Sequence, residues 1–218
     1  MKTILITGCS SGFGHETALY FLERGWKVIA TMRKPQADLF PDSENLRLLP
    51  LDVSNEASIR QAIAEAGEID VLVNNAGIGV LAALEGMEMS TVRDVFETNT
   101  LKSLPLLAVY TASKAAVNAF TESLALELQP FNINVRLVLP GMAPTTDFGK
   151  NAMSRMDHTQ PELYQPLFDR VLTGMQQPQP TTKALDVAEA IWRAATDPSA
   201  PLRIPAGEDA VALMHEVG

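Results

Sequence analysis

Cysteine is nearly absent. Cys9 is the one thiol among 218 residues, so no disulfide can form within the chain, and a reducing, cytoplasmic setting is expected. Histidine is scarce as well: His15, His158 and His215 are scattered, and none stands at a metal-ligand spacing from Cys9, which points away from a metal centre. Long apolar runs are missing. Met1–Thr7 breaks into glycines too early for a signal segment, and no window approaches the length of a membrane span. Positive charge is outweighed, with 17 Lys and Arg against 26 Asp and Glu for a net charge of −9. The acids are spread rather than clustered, which argues against nucleic acid or an anionic membrane as a partner. No repeat occurs at solenoid periods. What is present is a 46% hydrophobic composition, enough for one α/β domain with a buried sheet.

Short apolar runs alternate with helical patterns. Thr3–Ile6, Val28–Thr31, Leu46–Leu49, Val71–Asn74 and Val135–Leu139 read as strands, each continuously apolar as buried parallel strands are, and Leu202–Ile204 can add a last one. Helices are expected at Gly12–Arg24, Glu56–Ala66, Ser90–Thr98, Ala112–Leu128 and Asp186–Asp197, with Ser54 and Ser90 as N-caps and Trp192 facing inward. In the long helix, Ala112, Ala115, Ala116, Phe120, Leu124 and Leu126–Leu128 form the expected apolar stripe. An open, doubly wound parallel sheet with helices on both faces, Rossmann-like in form, is the economical solution. The stretch Gly141–Thr182 is too long for a connection and reads as a substrate lid, with a short amphipathic helix over Leu163–Met175.

Two local patterns carry chemistry. Thr7-Gly8-Cys9-Ser10-Ser11-Gly12-Phe13-Gly14 follows the first strand and opens a helix. Glycines there let a pyrophosphate approach, and the helix N-terminus offers it free N–H groups. Further on, Tyr110 and Lys114 stand four residues apart, one helical turn, so an ammonium can sit beside a phenol and draw its pKa down toward neutrality.

With Asp52-Val53, Asn74-Asn75-Ala76-Gly77 and Pro140-Gly141 in the same order along the chain, these patterns resemble the short-chain dehydrogenase/reductase family. The resemblance implies a hydride transfer between a nicotinamide cofactor and a small-molecule carbonyl or secondary alcohol. Tyr110 would be the acid/base and Lys114 its tuning charge and ribose ligand, while Asn99 would relay protons. The glycine turn would hold the cofactor phosphates, Asp52 and Val53 the adenine, Asn75, Ala76 and Gly77 the middle of the cofactor, and Pro140-Gly141 the nicotinamide. A homodimer or homotetramer through the Ser90–Asn99 and Ala112–Leu128 helices is likewise implied. After the second strand comes Arg33-Lys34 with no carboxylate, which favours NADP over NAD, since a guanidinium can bind a 2′-phosphate. Leu106, Leu107, Met142, Phe148, Met153 and Met156 would make an apolar, adaptable pocket mouth for a hydrophobic substrate.

One family part does not fit. Between Asn99 and Tyr110 lie ten residues, too few for the helix and fifth strand that carry the family's catalytic Ser. A crossover alone takes about a dozen residues. Ser103 stands seven residues before Tyr110, rather than about a dozen, and does not inherit the role. Either a central strand is truly deleted, leaving its neighbours to pair anew, or about 30 further residues belong at the join near Asn99–Leu101. The second account is the expectation here; it requires Cα atoms at the join much farther apart than 3.8 Å. A site lacking its Ser leaves a rival reading, a non-catalytic NADP-binding sensor or scaffold.

Overall fold

Alternation within the first strand organises the fold. The computed structural model describes residues 1–78, 89–90, 106, 108–143, 146, 162–175 and 180–217. In β1 (Thr3–Thr7) successive side chains face opposite sides of the sheet. Ile4 and Ile6 enter one apolar cluster and Leu5 the other. Strands β2 (Lys27–Met32), β3 (Leu46–Pro50) and β4 (Val71–Val73) complete a parallel ladder in the order β3-β2-β1-β4. Its register sets Ile4 against Val28 on one side and Val71 on the other.

Helices cover both faces, as the sequence leads one to expect. Helix α1 (Gly12–Glu23) buries Phe21 fully, where the ring meets Trp26 edge-on at 5.1 Å and Trp192 at 5.1 Å. Trp192 comes from a late helix, Ala184–Thr196, so its side chain turns inward as its apolar spacing predicts. On the opposite face Leu5, Ile29 and Leu49 pack with Ala66, the last residue of α2 (Glu56–Ala66). The N-cap of α2 is Asn55, whose side chain accepts the Ser58 N–H at 3.0 Å. Ser54, the expected cap, is instead drawn back to Asp52, and Ser90 is itself helical.

The remaining elements are α3 (Ala108–Leu128), β5 (Leu137–Pro140), α4 (Gln165–Met175), α5 (the Ala184–Thr196 helix), β6 (Arg203–Ala206) and α6 (Glu208–Val217). Among the described residues β5 and β6 pair with each other in a separate two-stranded ladder, and β4 is hydrogen-bonded on the β1 side alone. The contacts divide the chain into two units. One comprises Met1–Gly77, Val138–Asp147 and Thr181–Gly218, and the other comprises Ile78–Leu137 and Phe148–Pro180. Within the second, Phe168 of α4 packs against Leu106, Tyr164, Leu167 and Val171, so the amphipathic helix expected over Leu163–Met175 forms with Leu163 itself exposed.

Helix α3 corrects the reading of its buried face. Val109, Ser113 and Thr121 are its buried residues, spaced by multiples of four. Ala112, Ala115 and Ala116 are exposed, and Phe120 and Leu126 are 63% and 73% exposed. Apolar periodicity marks a stripe, but here small polar residues take the interior. The join at Asn99–Leu101, and with it the Cα spacing in question, lies outside the described residues.

Candidate active site

Four hydrogen bonds sew the ends of β1 and β4 together. The Thr7 hydroxyl accepts the N–H groups of Asn75 and Ala76, both at 2.9 Å. The Asn75 amide returns, donating to the carbonyls of Thr7 at 2.8 Å and Gly8 at 3.2 Å. Gly8 turns with φ +74°, and a Cβ there would stand 2.8 Å from Cα of Ala76. Only glycine tolerates both the left-handed backbone and that approach. A Cβ on Gly14 would overlap the Gly8 carbonyl, so α1 starts hard against the turn. Thr7 is 4% exposed with its hydroxyl committed to this seam, and Phe13 packs against the core.

The start of α1 suits an anion. Its N-cap, Ser11, makes no side-chain cap bond, and no acidic residue stands in the first turn. The first N–H groups of a helix have no partner within the helix, and their partial positive charge favours phosphate. Ser10 is exposed, while Gly12 has φ +60° and lies beside the Thr146 side chain. Cys9, in the middle of the turn, is fully buried, with its thiol 3.3 Å from the Ile6 carbonyl and its pKa pushed up to about 12 by burial. It is therefore a packing residue rather than a nucleophile.

At the end of β2, Arg33 and Lys34 are exposed. The Asp52 carboxylate accepts the hydroxyl of Ser54 at 2.7 Å and its N–H at 3.0 Å, and these bonds, helped by the Arg33 charge, hold it below the usual carboxylate range. Val53 is half-buried beside it, and Gly77 is exposed at the end of the β4 turn.

A second seam fixes Pro140-Gly141, and sequence reading missed its partners. Asp209, in the first turn of α6, accepts the N–H of Met142 at 2.6 Å through Oδ2. The Thr182 hydroxyl accepts the Gly141 N–H at 2.8 Å and lies 2.7 Å from Asp209 Oδ1 and 2.8 Å from the Ala206 carbonyl. A Cβ at Gly141 would overlap the Asp209 carboxylate, which explains the glycine. The one sequence signal was Gly207-Glu208-Asp209 ahead of an apolar helix, and nothing in it names Gly141 as the partner.

Tyr110 and Lys114 belong to the other unit, both half-buried on α3, with Nζ 5.9 Å from the phenol ring centre. Ser113 between them is buried and donates to the Tyr110 carbonyl at 2.8 Å. The expected downward pull on the phenol is reversed in this structure: burial pushes Tyr110 up to about 12 and Lys114 down to about 8. Withdrawal from water disfavours both charged forms, and at this separation it outweighs the attraction. Asn99, Ser103, Leu107, Phe148, Met153 and Met156 lie outside the described residues; Leu106 is 8% exposed in the cluster around Phe168. Among the described residues there is no acidic or sulfur cluster that could hold a metal and no helix long and apolar enough to cross a membrane.

Known proteins resemble this chain in sequence and in fold. The short chain dehydrogenase family pattern matches residues 2–104 and again 98–157, so its two stretches overlap across 98–104, the region where the sequence places the join. A 3-ketodihydrosphingosine reductase of Bacteroides thetaiotaomicron is 38% identical over 174 positions, covering 64% of this chain and 63% of that one. Human retinol dehydrogenase 8 is 32% identical, covering 93% of this chain and 80% of that one. That alignment runs over 255 positions, 37 more than the 218 residues present, so at least that many aligned positions of the relative have no counterpart in this chain. Among solved structures, a short-chain dehydrogenase/reductase of Burkholderia phymatum in complex with NAD has a TM-score of 0.80 at 23% identity, over 99% of this chain and 91% of that one. One of Burkholderia cenocepacia in complex with NADP has a TM-score of 0.75 at 22% identity, over 100% and 94%. With the glycine turn seated at the start of α1 and a family match spanning most of its length, the chain belongs to the short-chain dehydrogenase/reductase family of oxidoreductases.

Proposed function

We propose that this protein reduces or oxidises a hydrophobic carbonyl or secondary alcohol with NADP(H). The observation that carries the reading is the pair of tailored ends on the two strands: an uncapped helix start behind Gly8, and Arg33-Lys34 in place of a carboxylate after β2. When bound, the cofactor supplies or takes up the hydride. The glycine turn and the α1 N-terminus hold its phosphates, and Arg33 meets the 2′-phosphate by charge-assisted bonds. Tyr110 donates the proton that converts the substrate oxygen to a hydroxyl. Its pKa near 12 keeps the phenol protonated at neutral pH, the form that reduction needs. Lys114 faces the same turn of α3 and stabilises the phenolate left behind, and Asn99 relays the replacement proton. Apolar substrate chemistry is supported by two relatives, whose names carry retinol and a keto-sphingoid base. The exposed Phe120 and Leu126 on α3 support a homodimer or homotetramer.

The broken family match at 98–104 favours a second reading, an NADP-binding sensor or scaffold whose Ser has been lost with the missing stretch. Calorimetric titration with NADPH and NADH, followed by NADPH consumption over a panel of long-chain ketones and retinoid aldehydes, separates the two. Turnover of an apolar carbonyl establishes the enzyme. Tight NADPH binding with no turnover across the panel establishes the sensor, and equal affinity for the two cofactors removes the NADP preference.

A further inference from the structure

We infer that His15 is a positioning residue for 2′-phosphate recognition, an inference that rests on the NADP reading above. His15 stands one turn into α1, directly after the glycine turn, and its Nε2 donates to the Leu39 carbonyl at 2.8 Å. Its ring lies 4.8 Å from that of Phe40, which is 8% exposed in the main core. Between Met32, the end of β2, and this anchor, Arg33 to Asp38 are all exposed. The same segment carries both basic side chains at the cofactor's adenosine end. A 3₁₀ turn over Ala37–Leu39 closes the segment onto His15.

The physical argument is one of ordering. Held at Met32 and at Leu39-Phe40, the basic segment is a short loop with both ends fixed. Without the second anchor it becomes part of the longer connection running to β3 at Leu46, and its freedom must be given up when the cofactor binds. The His15 ring is engaged by the Leu39 carbonyl and the Phe40 ring, so its effect is expected on the basic segment and on the cofactor that carries the extra phosphate. Hydrogen bond and ring contact are separable by substitution: His15→Phe keeps a ring against Phe40 and removes the donor, whereas His15→Gln places an amide donor near the Nε2 position.

Calorimetric titration of NADPH and NADH into the wild type and both variants tests this, with amide hydrogen exchange of residues 33–40 measured on the cofactor-free protein. His15→Phe is expected to weaken NADPH about three- to tenfold, the scale of one net hydrogen bond, with NADH changed less than about twofold. His15→Gln should recover most of the NADPH affinity, and exchange across 33–40 should quicken in His15→Phe. Unchanged NADPH affinity in His15→Phe, or equal losses for both cofactors, overturns the inference. If the wild type itself shows no preference for NADPH, the cofactor reading fails; unaltered exchange in His15→Phe shows separately that the anchor does not order the loop.

Discussion

β1 and β4 lie side by side with similar sequences and opposite circumstances. β1 is laddered to β2 and β4, and Ile4, Leu5 and Ile6 are at most 1% exposed. β4 reads Val-Leu-Val, the composition of a strand buried on both faces, yet Leu72 is 48% exposed and, among the described residues, its second edge has no ladder. From β1 the chain enters the glycine turn, where backbone and side-chain groups are matched. From β4 it runs toward the region where the family match breaks and only then reaches Tyr110. The contrast teaches that the glycine turn is completed by two neighbouring strand ends that are both present, Thr7–Gly8 and Asn75–Ala76, while the proposed proton donor follows the region in which the family match breaks.

The largest expected effect sharpens that division. Tyr110→Phe should lower turnover by about 10²- to 10⁴-fold while leaving NADPH affinity within about twofold. Steady-state kinetics with calorimetry decide it, and full activity in the variant would remove the proposed proton donor. Next in size is the strand comparison itself. Ile6→Ala should cost about 3 kcal/mol or more in chemical denaturation, because the site cannot collapse around the lost atoms, and Leu72→Ala should cost less than about 1 kcal/mol. Equal losses would mean that the outer face of β4 is covered in solution. Gly8→Ala should fall between, at about 1 to 3 kcal/mol, from a left-handed backbone and the contact with Ala76. A smaller, pH-dependent effect belongs to Lys114. Its folded pKa of about 8 lies below the ordinary 10.5, so the unfolded chain binds the proton more tightly and stability rises as pH climbs from about 8 toward 9.5. Above that range Tyr110, raised to about 12, turns the trend, since the unfolded phenol ionises first. Cys9, whose buried thiol is also raised to about 12, opposes this rise from about pH 9 because the unfolded thiol ionises first, so denaturation midpoints should climb in the wild type near pH 8 to 9 and fall across the same window in Lys114→Met.

Much of the sheet was legible in the sequence because parallel strands are apolar throughout: all six expected strands occur, with ends shifted by one or two residues. The glycine turn was legible because its spacing at a strand-to-helix junction is local, although the partners that hold it, Asn75 and Ala76, come from 67 to 69 residues away. Choices between competing partners, near or far, were not. Ser54 and Asn55 are both good caps, and the competition was settled by Asp52, which draws Ser54 away. The stripe on α3 named an apolar face without saying whether this chain or another copy covers it. Asp209 lies 67 residues from the Met142 N–H it accepts, and no periodicity links them. The Tyr110 shift was misread because spacing conveys the neighbouring charge and says nothing of lost solvent.

The aromatic cluster behind β1 has an optical consequence. Both tryptophans of the chain, Trp26 and Trp192, sit in it with ring centres 5.9 Å apart at 65°, flanking the buried Phe21 ring. Their coupled transitions should give a near-ultraviolet circular dichroism signal that vanishes when α1 and α5 part. Tryptophan emission therefore reports on the cofactor-binding unit and is silent about α3, which carries Tyr110 but no indole. A single sharp fluorescence melt would describe one unit of this protein, and the state of the other has to be read from its amides.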